Sequence, residues 1–233
     1  MKLTDLMPDI STLIPYGYEA IKTPLYEGIL VENLKDIQVT NSPVLHQVSG
    51  APGSGKSIFC HRFLMDNPSY VYVSFDKIME MIPSYQQDVI DKGPVEAFSK
   101  WELPARIIGY ELLCRLIEMR ANILLEHSGT NMPHVQLMHN VQQLGYKTHV
   151  DFLLCDVGVS LQRAQKREKE TGRHTPIKLI LERSKAIKEY YYKYHTIVKK
   201  IQLYETSYGC FQKINTLLNI KMEIDSKNKI LKI

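Results

Sequence analysis

The fold is decided by the stretch Gly50-Ala51-Pro52-Gly53-Ser54-Gly55-Lys56-Ser57, which fills every fixed position of the motif G-x-x-x-x-G-K-[ST]. This motif forms a cradle for nucleotide phosphates, because its glycines let backbone N–H groups approach the phosphate oxygens. In such a loop Lys56 reaches the β- and γ-phosphates, and the Ser57 hydroxyl holds Mg²⁺. We therefore expect these eight residues to bind ATP and Mg²⁺, with Ser57 as the metal ligand.

The residues on either side of this loop predict a strand–loop–helix unit. Residues 44–49 have the pattern of a short buried strand, and residues 58–64 continue as a helix. The helix opens at Gly55, which adds the positive end of its dipole to the phosphate site. The alternative is a glycine-rich turn without function, and the complete motif in this context argues against it.

Length and composition predict one sizeable α/β core. The chain has 233 residues, of which 44% are hydrophobic and 23% charged. No stretch approaches the roughly 18 apolar residues that a membrane span needs, and no signal peptide is visible, so we expect a cytoplasmic protein without membrane contact. The four cysteines form no C-x-x-C pair, which indicates neither a disulfide framework nor a zinc site.

Charge is distributed unevenly along the chain. Residues 1–160 hold 12 Lys and Arg against 18 Asp and Glu, whereas residues 161–233 hold 17 against 7. A basic C-terminal third suits an anionic ligand, although solvated helix faces would give the same pattern. No nucleic-acid-binding module is recognisable, so nucleic acid is not expected as a partner.

Strands and helices alternate after the loop. Strands are predicted at 70–75, 122–125 and 148–155, and helices over 107–117, 133–144, from Ser160 onward and over 177–203. This order predicts a three-layer α/β fold of the P-loop NTPase type, with a mostly parallel central sheet of about five strands flanked by helices. Residues 1–40 are predicted to be a helical arm packed on or leading into the core. Residues 41–233 form the main domain, and residues 221–233 resemble a terminal hairpin.

Two carboxylates follow predicted strands. Asp76 comes directly after the strand at 70–75, and Glu126 after the strand at 122–125. Because ligands of open α/β sheets bind at the carboxyl ends of the strands, both side chains are expected near the γ-phosphate. Asp76 could instead cap a helix, and Glu126 could be a surface carboxylate.

Taken together, these segments resemble the zeta toxin family of P-loop kinases over roughly residues 44–200. The resemblance rests on the loop at 50–57, the strands ending at Asp76 and Glu126, the helix ending in Gln143-Leu144-Gly145-Tyr146, and Thr171-Gly172-Arg173-His174-Thr175-Pro176. It implies transfer of the ATP γ-phosphate to a hydroxyl of a small molecule, typically the 3′-hydroxyl of a UDP-activated amino sugar. Many family members are toxins neutralised by an antitoxin, so an antitoxin protein is a candidate partner.

The resemblance also implies roles for individual residues. Asp76 matches the catalytic base, Lys56 and Ser57 match the phosphate and magnesium contacts, and Glu126 matches an acidic residue on the substrate side. Arg173 matches an arginine of a lid near residues 163–176 that contacts the γ-phosphate. A second lid arginine is assigned to Arg167, with Arg163 as the alternative.

The substrate segment departs from the family pattern. Better-known members carry Gly-Thr-Gly-Arg after the strand glutamate, whereas this chain has His127-Ser128-Gly129-Thr130 and lacks that arginine. Ser128 and Thr130 remain candidate substrate contacts. A further substrate glutamate falls on Tyr110, or on Glu111 with a shift of one residue. Another nucleotide, a nicotinamide dinucleotide or a small antibiotic is therefore an alternative acceptor.

Two other interpretations belong to different functional classes. Residues 152–155 are mostly apolar and end at Asp156, which is typical of the metal-binding strand of ATPase switches. No sensor or coupling motif accompanies it, which argues against a motor. A catalytically degenerate protein that binds nucleotide or a partner without turnover is the second alternative.

Overall fold

The central sheet of the computed structural model, which describes residues 2–15, 24–35 and 37–214, has six strands. In chain order these are β1 Val44–Gly50, β2 Tyr70–Ser74, β3 Asn122–Glu126, β4 Lys147–Leu154, β5 Lys200–Glu205 and β6 Gln212–Ile214. Their order across the sheet is β2-β3-β1-β4-β5-β6, with β1 to β5 parallel and β6 antiparallel to β5. The predicted α/β architecture with a mostly parallel sheet is confirmed.

Helices cover both faces of this sheet. They are α1 Leu3–Leu6, α2 Pro24–Asn33, α3 Lys56–Asp66, α4 Phe75–Glu80, α5 Pro83–Lys92, α6 Pro94–Glu118, α7 Met132–Gln143, α8 Val157–Thr171 and α9 Ile177–His195. Side chains of β3 alternate between two apolar clusters, with Ile123 and Leu125 in the larger one and Leu124 in the one beneath α3. Successive strand residues point to opposite faces, so the sheet is buried on both sides. Within the described ranges, none of the helices is long and apolar enough to cross a membrane.

The sequence prediction was wrong at the end of the last helix. A helix was expected to continue to Leu203, but α9 ends at His195 and residues 200–205 form β5. Leu203 lies opposite Phe152 of β4 and is 2% exposed, so tertiary burial outweighs the helical pattern. The sheet therefore has six strands rather than about five. The hairpin expected at 221–233 lies outside the described residues.

The N-terminal segment packs against the core. Leu6, Met7 and Ile10 are buried in the same cluster as the sheet. The Asn140 side-chain amide donates to the Leu6 carbonyl at 3.0 Å, which ties α1 to α7. The segment then runs to Leu13, which lines the cleft beside the loop at residues 50–57. The division at residue 40 itself stays a prediction.

Three parallel strands bring the candidate site together at one edge of the sheet. Glu126 at the end of β3 lies opposite Val48 of β1 and Ser74 of β2. The phosphate loop follows β1 at this edge, and α4 begins directly after β2. Because parallel strands end on the same side, one edge carries the loop, Asp76 and Glu126.

Candidate active site

The loop after β1 has the backbone geometry of a phosphate cradle. Gly53 and Gly55 have φ angles of 85° and 90°, a region that residues with a Cβ rarely adopt. A Cβ on Gly53 would lie 2.3 Å from the Ser160 carbonyl oxygen, so α8 packs directly on this loop. The Lys56 ammonium donates to the carbonyls of Gly50 at 2.9 Å and Ala51 at 3.0 Å. Burial lowers the pKa of Lys56, and the negative charges of Glu126 and Asp76 oppose that shift.

A hydroxyl and a carboxylate meet beside the cradle. Ser57 Oγ donates to Glu126 Oε1 at 2.9 Å, and the Tyr72 hydroxyl donates to Glu126 Oε2. These are hard oxygen ligands of the kind that Mg²⁺ prefers, and proteins usually hold Mg²⁺ with one or two such groups together with substrate phosphates. Ser57 and Glu126 therefore fit a magnesium ion at the phosphates.

Asp76 is paired with Arg173 of the predicted lid and does not cap a helix. It lies in the first turn of α4, and its carboxylate accepts a hydrogen bond from Arg173 Nη2. Arg173 Nη1 also lies 3.6 Å from Glu80. The Asp76 side chain is 44% exposed, whereas that of Arg173 is 11% exposed. Burial lowers the pKa of Arg173, but Asp76, Glu126 and Glu80 outweigh it, so the net shift is upward.

The other two arginines of the predicted lid have different surroundings. Arg167 Nη2 donates to Thr175 Oγ1 at 2.6 Å, and its buried Nε has no hydrogen-bond partner among the described residues. Burial and the charge of Arg173 lower the pKa of Arg167. Arg163 instead donates to the carbonyls of Thr206 and Ser207 at 2.9 and 3.2 Å. Arg167 is thus the arginine with an unused donor, while Arg163 braces the loop after β5.

These groups line one cleft of about 580 Å³. Its cradle side is formed by Gly53, Gly55, Lys56 and Ser57, and its lid side by Arg163, Arg167 and Arg173. We call a further part of the lining the wall, and it combines aromatic, apolar and basic side chains: Leu13, Phe75, Phe98, Arg106, Tyr110, His127, Leu179 and Arg183. A cleft of this volume has the size of a small-molecule binding site.

Two histidines are stacked, with His127 in the wall and His134 fully buried behind it. The rings of His127 and His134 are 3.5 Å apart and nearly parallel. His134 Nδ1 lies 2.9 Å from Gln47 Oε1, and His134 Nε2 lies 2.9 Å from the Tyr110 hydroxyl. The Gln47 amide nitrogen is occupied by Ser49 and Tyr194, so its oxygen accepts from His134. It follows that His134 is protonated on Nδ1 and that Tyr110 donates to its Nε2.

Sequence and structure comparisons agree with this geometry. The zeta toxin family model matches residues 31–216, which is most of the chain. The chain belongs to the zeta toxin family. No curated protein matches the sequence significantly.

Solved structures share the fold of this zeta toxin family protein. The PezAT chromosomal toxin–antitoxin system of Streptococcus pneumoniae contains a chain with a TM-score of 0.60 and 15% identity, covering 78% of this chain and 77% of that one. A chain of the AvrRxo1-ORF1:AvrRxo1-ORF2 complex with sulphate ions gives a TM-score of 0.62 at 13% identity, covering 84% and 71%. A chain of the same complex with ATP gives a TM-score of 0.64 at 12% identity, and the match covers 82% of this chain and 65% of that one. Together with the family, this fold identifies a P-loop kinase, and hence a phosphotransferase.

Not every residue predicted for the site reaches the cleft. Glu111 pairs with Arg115 of the same helix at 3.1 Å and is not among the cleft-lining residues, whereas its neighbour Tyr110 is. A step of one residue turns a helix by about 100°, which places the two side chains on different faces. Asp156 caps α8 by accepting from the Val159 amide at 3.0 Å, so its carboxylate is used away from the cradle.

The remaining predicted contacts divide between the cleft and its supports. Ser128 lines the cleft, while Thr130 lies behind it and binds Arg183. The sequence did not point to Arg106 or Arg183, because α6 and α9 each carry several basic residues and nothing local distinguishes these two from the rest. The spacing of apolar residues shows on which side of its helix each arginine lies. It does not show which part of the protein that side contacts.

The His134 environment gives a stability prediction. Burial lowers the pKa of His134 to about 3, from about 6.5 in an unfolded chain. Below about pH 6.5 the unfolded chain binds a proton that the folded protein does not, so stability should fall as the pH falls toward 3. The slope from this residue is up to about 1.4 kcal/mol per pH unit. Urea unfolding at several pH values should show a smaller slope for His134→Gln than for the native protein.

Exposed His139 of the same helix supplies the matched control for this measurement. His139→Gln should keep the native slope, because an exposed histidine has no burial penalty. An unchanged slope in His134→Gln would contradict the neutral, buried state assigned to His134.

Proposed function

We propose that this protein transfers the γ-phosphate of ATP to a hydroxyl group of a small molecule, with Asp76 as the catalytic base. The observation that carries the proposal is the direct contact between Arg173 and Asp76 over the phosphate cradle. A carboxylate that accepts the hydroxyl proton and a guanidinium that stabilises the transferred phosphate must both reach the reacting atoms. The cleft places both groups beside Lys56.

Each group has a definite task in this proposal. Lys56 would leave the loop carbonyls that it now contacts and bind the β- and γ-phosphates. Ser57 and Glu126 would hold Mg²⁺, which supplies charge neutralisation at the phosphates. The unused Nε of Arg167 offers a further donor to the γ-phosphate. Asp76 would be freed for proton transfer when Arg173 moves from it to the phosphate.

The acceptor would occupy the wall that contains Tyr110 and His127. A UDP-activated amino sugar is the acceptor class implied by the resemblance, and another nucleotide-like hydroxyl compound is the alternative. Because the chains of similar fold come from a toxin–antitoxin system and a two-protein complex, we further propose that an antitoxin protein binds this chain.

The proposed reaction can be tested without knowing the acceptor. A metabolite extract incubated with the protein, ATP and Mg²⁺ should contain at least one compound that gains the mass of one phosphate. The same extract treated with the Asp76→Asn variant should not. Equal ATP consumption with and without extract, and no new phosphorylated compound, would favour an ATPase switch or a protein without turnover.

Replacing Arg173 tests the lid. Arg173→Ala should lower kcat by up to about 10²-fold. The loss is limited because Arg167 would still stabilise the transferred phosphate. ATP affinity should change much less, because the guanidinium contacts Asp76 rather than the cradle before the lid rearranges. Arg173→Lys should rescue only partly, since an ammonium lacks the guanidinium fork. Steady-state kinetics and ATP titration measure the two quantities.

Lys169, exposed near the end of α8, gives the matched control for removing a positive charge. Lys169→Ala should leave both kcat and ATP affinity unchanged. If Arg173→Ala weakens ATP binding at unchanged kcat, Arg173 contributes uniform binding and the lid role is wrong.

A further inference from the structure

Arg183 of α9 is held by the loop that follows β3. Its Nη1 donates to the Thr130 carbonyl at 2.9 Å and to Thr130 Oγ1 at 3.2 Å. The side chain also lines the cleft. Within residues 2–15, 24–35 and 37–214, no acceptor is bonded to Arg183 Nε or Nη2. One edge of the guanidinium is therefore fixed by the protein, and the other is available to a ligand.

The charge around Arg183 favours an anion. Burial and the positive charge of Arg106 both lower the pKa of Arg183. Arg106 has its own partners, because its guanidinium bonds to Glu102 and to the Leu13 carbonyl. Arg183 has Thr130, a neutral residue, as its hydrogen-bonded partner. A negatively charged oxygen at its free edge would compensate this unbalanced charge.

His127 adds a neutral donor on the same wall. Its Nδ1 accepts the backbone N–H of Gly129 at 3.0 Å, so the proton of the neutral ring sits on Nε2. Its Nε2 has no acceptor in the part of the chain that the structure describes, and the ring lines the cleft. The imidazole thus offers an N–H donor to a ligand in the cleft.

We propose that Arg183 and His127 bind an oxyanion, a phosphate or a carboxylate, that the acceptor carries in addition to its reactive hydroxyl. This inference rests on the proposed function in placing the acceptor against this wall. It also accounts for the missing arginine of the segment His127–Thr130, because a guanidinium from α9 docks on Thr130 itself. Both residues are then specificity-determining contacts that discriminate against uncharged hydroxyl compounds.

Anion binding tests this directly and does not require the acceptor. The protein is saturated with Mg²⁺ and the non-hydrolysable analogue AMP-PNP, which fills the cradle, and its melting temperature is followed during titration. The probes are inorganic phosphate and acetate, each at constant ionic strength set with chloride. We expect saturable stabilisation by at least one probe, and the stronger probe identifies phosphate or carboxylate as the anion.

Variants localise the binding. Arg183→Leu should weaken anion binding by about tenfold or more, because the substitution removes a charged hydrogen-bond donor. Arg183→Gln, which can still donate to the Thr130 carbonyl, serves if the leucine variant does not fold. His127→Phe keeps a ring for stacking on His134 and should weaken binding several-fold, whereas His127→Gln keeps a donor and should weaken it less.

Exposed Lys185, two residues along the same helix, is the matched control, and Lys185→Leu should bind the probes as the native protein does. Absence of saturable binding, or an equal loss in Lys185→Leu and Arg183→Leu, would overturn the proposal. These results are distinct from failure of the proposed function. A protein that phosphorylates nothing in an extract but binds the anion through Arg183 would retain this site without the reaction.

Discussion

Replacing Lys56 with methionine is expected to lower phosphoryl transfer by about 10³-fold while leaving the fold intact. The Lys56 ammonium bonds to the Gly50 and Ala51 carbonyls, so it lies inside the loop where phosphate oxygens would bind. It would neutralise charge that develops on the transferred group, and a thioether cannot. Methionine keeps most of the volume of the lysine stem, which limits any packing defect.

Two measurements check this expectation. Turnover is followed as phosphate transferred from labelled ATP to compounds of a metabolite extract, and folding is followed by thermal melting. Exposed Lys147 provides a matched control, and Lys147→Met should keep native turnover. Near-normal transfer by Lys56→Met would refute the assignment of residues 50–57 as the phosphate cradle. If the protein arrests growth when expressed, Lys56→Met should relieve that arrest.

Asp76→Asn is expected to reduce turnover by at least about 10²-fold, because an amide cannot accept the proton of the acceptor hydroxyl. Stability should change by less than about 1 kcal/mol, since the Asp76 side chain is 44% exposed and an amide oxygen can still accept the hydrogen bond from Arg173. Arg173 also keeps Glu80 as a neighbour in this variant. Kinetics and urea unfolding of the same preparation separate the two effects.

Asp91, exposed on α5, gives the matched control, and Asp91→Asn should keep native turnover. A parallel loss of activity and unfolding free energy in Asp76→Asn would mean that the carboxylate acts in structure rather than in proton transfer. The unfolding measurement is necessary because removing the charge of Asp76 also weakens its ion pair with Arg173.

The hydrogen bonds of Lys56 and Asp76 bear on the order of binding. Lys56 is bonded to its own loop, and Asp76 is occupied by Arg173. In the proposed reaction both groups would change partner before transfer, and ATP would offer the phosphates that Lys56 and Arg173 take. In the proposed mechanism, ATP binding therefore precedes full activation of the base.

The sequence by itself determined the phosphate loop, its flanking strand and helix, and the parallel α/β architecture. These features are local, because the loop motif is contiguous and buried strands carry continuous apolar runs that a single sequence displays. The placement of Asp76 and Glu126 after consecutive strands also followed, since parallel strands end at one edge of a sheet. The resemblance added candidate roles for these residues, and those roles stay proposals.

Only the tertiary structure decided which distant side chains meet. Residues 200–205 became a strand because β4 offers them a partner and a buried position, which no helical pattern can register. Glu111 points away from the cleft and Tyr110 toward it because of the rotation of one helix against the sheet. Arg183 reaches Thr130 across 53 positions of sequence, and no local pattern encodes such a contact. The phosphate cradle is therefore specified locally, whereas the wall proposed to select the acceptor is assembled by packing.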